Sequence, residues 1–351
     1  MKIIYTACKY DYMDASRGYG FEHYNFYDTL SKMPNVEVLY FPYEKMLEVG
    51  KEEMNAQLRE LVDYEKPDIL FAVMFTDQLS KEVIGDISKK THCKTVAWFC
   101  DDHWRFDNYS KYWAPYFNWV VTTDSLAPAK YHHIGHKNVI KSQWACNYFL
   151  YKPMDLPKKY DVTFIGQPHG NRKKIIGQVK KAGINVQCWG GGWPNGRVSQ
   201  TEMINIFSQS KINLNLTKSA GGIGAISLAR IFFEKTDGKI KMHGPGLWLD
   251  NVKSFLSSKA EQIKGRNFEI PGCNVFLMTG QAPGLEDYYR DGKEIVVFKD
   301  TRDLIKKITY YLKHENQREQ IALAGYNRTT KEHTYEKRFN DIFKIINLKN
   351  E

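Results

Sequence analysis

No apolar run in this 351-residue chain approaches the roughly 20 residues a membrane-spanning helix needs, so no such span is expected. The first residues, Met1–Thr6, read as a short strand without the apolar core of a secretion signal. Cysteine is scarce and scattered: six residues (Cys8, Cys93, Cys100, Cys146, Cys188 and Cys273), no two in a CxxC pair. That spacing excludes a disulfide scaffold and a zinc ribbon, and it points to reduced, buried thiols in a cytoplasmic protein. His132, His133 and His136 have no acid or thiol spaced to complete a metal site, and no metal is expected. Neither GxGxxG after a strand nor GxxxxGK[ST] occurs, which removes the nicotinamide and P-loop readings. Gly221–Gly224 does not sit in a strand-turn-helix pattern and rescues neither, so no cofactor is expected. No segment repeats at a fixed period, and no long block of one charge sign appears.

What the chain does carry is a soluble composition, 42% hydrophobic and 26% charged, over a length that suits two domains. A formal net charge of +10 favours acidic ligands or surfaces: phosphates, an anionic membrane face, nucleic acid. Aromatic residues reach 14%, which fits a cleft that meets rings or sugars, although aromatic side chains fill cores first.

Short strands alternate with helices through the first 150 residues. Strands are expected at 2–7, 36–41, 69–74, 95–99, 119–122 and 139–144, with helices at 21–32, 52–63, 79–89 and 125–133. This alternation implies a parallel, doubly wound sheet, whose ligands bind beyond the C-terminal strand ends. After the first strand comes the aromatic, polar loop Lys9–Gly20, leading into Glu22, with Tyr19 and Glu22 as candidates to touch an acceptor. After the fourth comes Asp101-Asp102-His103-Trp104-Arg105. That cluster can place an acceptor hydroxyl, with Asp101, Asp102 or His103 as general base and Trp104 and Arg105 as binding groups. One of the two aspartates is expected to serve as a helix N-cap instead.

Two prolines and three lysines between Tyr151 and Lys159 mark a linker. The chain then divides into domains at 1–152 and 153–334, with a closing helix from 335. The second series opens with strand 161–165 and the turn Gly166–Arg172. Gly166, Arg172 and Lys173 there suit an anion, because free amides and a helix dipole point at it. Strand 186–189 ends at Gly190, whose glycine loop lets backbone approach something flat or bulky and makes Gly190 a donor-binding candidate, and Ser199–Glu202 is a capping box. The stretch 217–256 shows little periodicity and is expected to be a functional or mobile insertion. Glu261–Glu269 packs two acids with Lys264 and Arg266. As a helix, 261, 265 and 269 share one face, beside a basic pair that could hold a diphosphate. Strands at 275–278 and 294–298 and helices at 302–313, 317–329 and 335–348 complete the chain.

Lys264–Cys273, Leu285–Tyr288, Gly292–Ile295 and His333–Arg338, with Trp98–Asp102 in the first domain, resemble the CgeB-like (spore maturation protein) group of glycosyltransferases. The resemblance implies an α/β GT-B fold: two facing Rossmann-like, doubly wound parallel-sheet domains, with the C-terminal helix crossing back to the first. It implies a nucleotide-diphosphate-sugar donor, UDP-linked, in the second domain and an acceptor in the first. Glu261 and Glu269 match the E-x7-E spacing of many retaining members: Glu269 for the donor ribose, Glu261 for the transferred sugar. The interior of that match departs from the family's usual Gly-rich form. Lys264 and Arg266 would neutralise the leaving diphosphate, with Gly166 and Arg172 at the phosphate-facing turn. The expected activity is metal-independent, retaining sugar transfer to a small molecule, glycan, protein or nucleic acid, including a large polyanion such as modified DNA. A nucleotide-sugar epimerase and a non-catalytic sugar- or polyanion-binding protein are the alternatives.

Overall fold

The computed structural model describes residues 1–217, 225–236, 239–258 and 260–347. The chain forms two compact units. The first contains Met1–Gln143, His243–Leu256 and the chain from Tyr335; the second contains Trp144–Met242 and Ser257–Thr334.

The first unit is built on six parallel strands: β1 (Lys2–Thr6), β2 (Glu37–Tyr40), β3 (Ile69–Met74), β4 (Lys94–Phe99), β5 (Trp119–Thr122) and β6 (Val139–Lys141). Their order is β2-β1-β3-β4-β5-β6. All six residues of β3, Ile-Leu-Phe-Ala-Val-Met, are buried, as befits a central strand of a sheet covered on both faces. Helices Lys51–Glu65, Lys81–Lys90 and Ala127–His133 provide crossovers. Ser80 caps the second of these by accepting from the Val83 amide at 3.4 Å.

The region expected as one α-helix from Phe21 to Lys32 instead contains a π-helical turn, His23–Tyr27, running into Asp28–Leu30. Polar side chains enter its ladder: Asn25 Nδ2 donates to the Phe21 carbonyl at 3.0 Å and Thr29 Oγ1 to that of Asn25 at 2.7 Å. The turn seats Phe26 against Trp98, 4.8 Å between centroids, and against Tyr335 of the closing helix Tyr335–Ile345 at 5.0 Å. Phe339, one helical turn on, meets Phe71 edge-to-face at 5.8 Å.

The second unit has a five-stranded parallel sheet of β7 (Tyr160–Ile165), β8 (Val186–Trp189), β9 (Ser210–Asn215), β12 (Leu277–Gly280) and β13 (Val296–Phe298), ordered β13-β12-β9-β7-β8. Helices Arg172–Lys181, Gln200–Ser208, Thr301–Lys313 and Glu315–Glu332 belong to it. Ser199 is the N-cap of the second, as its capping box foretells, accepting from the Glu202 amide at 3.2 Å.

Two further expectations are corrected. Residues 217–256 are not aperiodic. Their described part holds helix Ala225–Phe232, the antiparallel hairpin β10 (Phe233–Thr236) and β11 (Lys239–Met242), and helix Pro245–Ser257. Gly221–Gly224 lie outside the described residues. Glu261–Glu269 is not one helix: 261–264 are irregular and the helix is Arg266–Gly272. Its start is fixed by Asn267, whose Oδ1 takes the Lys264 amide at 2.9 Å, so Glu261 and Glu269 share no helical face.

Candidate functional site

In both sheets the chain reverses its direction of growth once, between β1 and β3 and again between β7 and β9. At such a point the loops leaving two adjacent strands diverge, and a crevice opens at the C-terminal strand ends. The candidate residues are placed relative to these two points.

In the second unit, Arg172 bridges the loops that leave β7 and β9. Its Nη1 donates to the Gln167 carbonyl at 2.9 Å and its Nη2 to that of Leu216 at 2.8 Å. Burial lowers its pKa. These bonds make Arg172 a brace of the loop pair. Lys173, beside it in the first turn of the helix, is exposed and free to point at an anion.

Gly166 and Gly190 lie back to back. Gly166 N donates to the Trp189 carbonyl at 2.8 Å. A Cβ added at Gly190, where φ is +129°, would stand 2.6 Å from the Gly166 oxygen. The glycine after β8 therefore serves a close backbone contact with the loop after β7, and Trp193 closes it by donating to the Gly166 carbonyl at 2.7 Å.

Lys264, Arg266 and Glu269 are brought together at the start of helix Arg266–Gly272. A cluster that sequence reading missed anchors this start at the C-terminal ends of β9 and β12. Asn215 Nδ2 donates to Asn267 Oδ1 at 2.9 Å and to Thr279 Oγ1 at 3.1 Å, and Asn267 Nδ2 donates to the same hydroxyl at 3.1 Å. All three side chains are buried. The available signal was an amide, Asn215, at the end of a mostly buried strand, since a buried amide requires partners.

Glu269 is fully buried, its Oε2 paired with Arg266 Nη1. The other oxygen, Oε1, has no hydrogen-bond partner among the described residues. Arg266 keeps 27% of its side chain exposed, so it links this carboxylate to the surface. Lys264 and Glu261 are half-buried.

In the first unit, the loop after β1 closes on itself. Tyr10 and Tyr19 pair as an isolated bridge and stack at 5.4 Å, and Tyr19 stacks on His23 at 4.1 Å. Burial and the neighbouring Lys9 push His23 down to about 4, so this imidazole is neutral near pH 7. Glu22 is half-buried beside the stack. Burial, with the charges of Asp11 and Asp101 adding, raises its carboxyl from 4.5 to about 7. Glu22 and Asp101 thus feel each other, which a reading of two separate loops did not anticipate.

The cluster after β4 divides. Asp101 occupies the N-cap position of the short helix Asp102–Arg105, its side chain making no capping bond, and stays half-buried with His103 and Trp104. Asp102 is fully buried and accepts from Tyr131 Oη at 2.9 Å. Burial raises its carboxyl to about 6, against the Tyr131 bond, which favours the charged form. Its expected role as a general base is corrected: Asp102 faces the core. Arg105 is fixed by donating to the Phe75 carbonyl at 2.7 Å and lies over the Tyr109 ring at 3.9 Å, joining the loops after β3 and β4.

Among the described residues, no cluster of three or more His, Cys, Asp or Glu side chains is arranged to hold a metal ion, and no helix is long and apolar enough to cross a membrane. The described cysteines are all free.

Known proteins agree with this architecture. Residues 172–344 match the family described as glycosyl transferase-like. The spore protein CgeB of Bacillus subtilis (strain 168) is 22% identical over 219 residues, which cover 62% of this chain and 64% of that protein. A glycosyltransferase from Rickettsia africae ESF-5 superposes with a TM-score of 0.63 at 11% identity, over 100% of this chain and 99% of its own. Sucrose-phosphate synthase from Thermosynechococcus elongatus gives 0.60 at 11% identity, over 99% and 98%. Anabaena HepE, solved in complex with UDP, gives 0.59 at 9%, over 99% and 100%. Two parallel-sheet units that superpose on these structures give the chain a GT-B fold, with a region, residues 172–344, similar to the glycosyl transferase-like family and a partial likeness to CgeB, of whose length the match spans less than two thirds.

Proposed function

We propose that this protein is a glycosyltransferase that takes a hexose-like sugar from a nucleotide-diphosphate donor, UDP-linked, and passes it to an acceptor hydroxyl with retention and without a metal ion. The observation that carries the reading is Glu269: a fully buried carboxylate with one oxygen on Arg266 and the other unpartnered among the described residues. An unpaired buried carboxylate oxygen is costly, and the hydroxyls of a ribose are the donors that satisfy it. HepE, bound to UDP and to UDP-glucose in its structures, supports the choice of nucleotide.

In this reading Glu269 fixes the ribose and Glu261 the transferred sugar. Lys264 and Arg266, with Lys173, meet the diphosphate. As the bond from the sugar carbon to the phosphate oxygen breaks, negative charge grows on the leaving group, and fixed cations stabilise it more in the transition state than in the ground state. The acceptor oxygen forms the new bond to the same carbon and gives up its proton. Glu22 and Asp101 of the first unit are the carboxylates proposed to take it, and a carboxyl poised near 7 suits a base at neutral pH. Tyr19, His103, Trp104 and Arg105 shape the acceptor side.

A thermal-shift panel of nucleoside diphosphates and nucleotide sugars, run with chelator, tests the donor assignment. UDP or a UDP-sugar at one hundred times its Kd is expected to stabilise the protein by about 2.7 kcal/mol, and adenine and guanine nucleotides by less. No shift with any nucleotide contradicts the reading.

A further inference from the structure

Helix Pro245–Ser257 is inside out. Asp250, Asn251 and Ser254 lie on one stripe and are buried, while Leu249, Val252 and Leu256 lie on the opposite stripe, 73%, 37% and 60% exposed. Its inward face is held by specific polar bonds within the first unit. Asp250 Oδ2 takes Lys111 Nζ at 2.7 Å and Tyr112 Oη at 2.9 Å, and Asn251 Oδ1 takes Asn108 Nδ2 at 3.1 Å. A helix that spends its hydrogen-bonding side chains on the protein and turns three aliphatic ones outward has its apolar face open for another surface.

The chemistry of that surface follows from charge. The exposed stripe carries Lys253 between Val252 and Leu256, whereas the helix's one acid, Asp250, is turned inward and paired. The whole chain has a formal net charge of +10, so a second copy would be repelled where an anionic surface is attracted. We propose that the outward face of helix Pro245–Ser257 docks this protein on an anionic phospholipid surface. Its aliphatic side chains enter the acyl boundary and Lys253 meets the headgroups, as for an interfacial helix. The docking does not depend on the donor assignment.

Co-sedimentation with vesicles tests it. The full chain is expected to pellet with phosphatidylcholine vesicles containing phosphatidylglycerol, to remain in solution with phosphatidylcholine alone, and to bind less as salt rises. Leu249→Glu with Leu256→Glu should weaken pelleting by about tenfold or more while leaving the melting temperature in place, because both residues are exposed. Lys253→Glu should weaken it less. Failure of the wild-type chain to pellet with either vesicle, or equal pelleting by the double variant, overturns the proposal. So does a dimer in light scattering that the double variant dissolves while the wild-type chain ignores vesicles, since the occupant is then a second copy.

Discussion

Two carboxyls, the half-buried Glu22 and the buried Asp102, carry raised pKa values that bear on how this protein responds to pH. Glu22 sits at about 7 instead of 4.5, and Asp102 at about 6 instead of 3.8, in both cases first because burial disfavours charge. Since the folded values lie above the unfolded ones, the folded chain holds the extra protons. The resulting stability is present below the unfolded pKa and is lost as pH rises toward the folded one. Melting temperature should therefore decline between about pH 4 and pH 7. Asp102→Asn keeps an acceptor for Tyr131 and removes the buried charge, so it should flatten that decline between about pH 4 and pH 6 and melt no lower than wild type at pH 7. A variant whose melting curve keeps the wild-type slope would place the proton elsewhere. Glu22 governs activity in the proposed scheme: kcat/KM should rise through pH 7 as its carboxyl ionises, and Glu22→Gln should abolish that limb. An unchanged pH profile in this variant moves the base to Asp101 or His103.

At the scale of single elements, the glycine loops and the helix starts decide what the sheet edge can present. Gly190 is needed because its φ is +129° and the Gly166 oxygen occupies the place of a Cβ. Gly190→Ala should destabilise the second unit by about 1–3 kcal/mol or more, measured by denaturant unfolding, and a neutral result would mean the two loops separate easily. How much was legible follows from the same features. Alternating apolar runs and turn residues made strands such as β3 at 69–74 and β5 at 119–122 readable to the residue, while β6 ends three residues before its expected end and the hairpin β10–β11 was missed. The capping box at Ser199 was equally local. The π-turn at His23–Tyr27 and the inside-out helix Pro245–Ser257 were not legible. The helix depends on side chains meeting partners distant in sequence, such as Asp250 on Lys111, and the π-turn on local polar side chains entering the ladder, which leave no period in the chain. The site fared likewise. Glu269 and Arg266 form one cluster, but the Asn215–Asn267–Thr279 anchor needed three separate segments folded together.

For the molecule as a whole, two parallel-sheet units divide the labour proposed here, acceptor groups in the first and donor groups in the second. The closing helix belongs to the first unit, where Phe339 is fully buried against Phe26 and Phe71. Phe339→Ala should cost about 3–5 kcal/mol and lower the first unit's unfolding transition, followed by calorimetry. A single unshifted transition would show that the helix contributes little to that unit. The most direct test of the account is nucleotide release from a UDP-sugar by the wild-type chain and by Glu269→Gln in the presence of chelator. The account predicts that wild type releases UDP and that Glu269→Gln, still folded by melting temperature, does so at least about a hundredfold more slowly. Full activity in Glu269→Gln would contradict it.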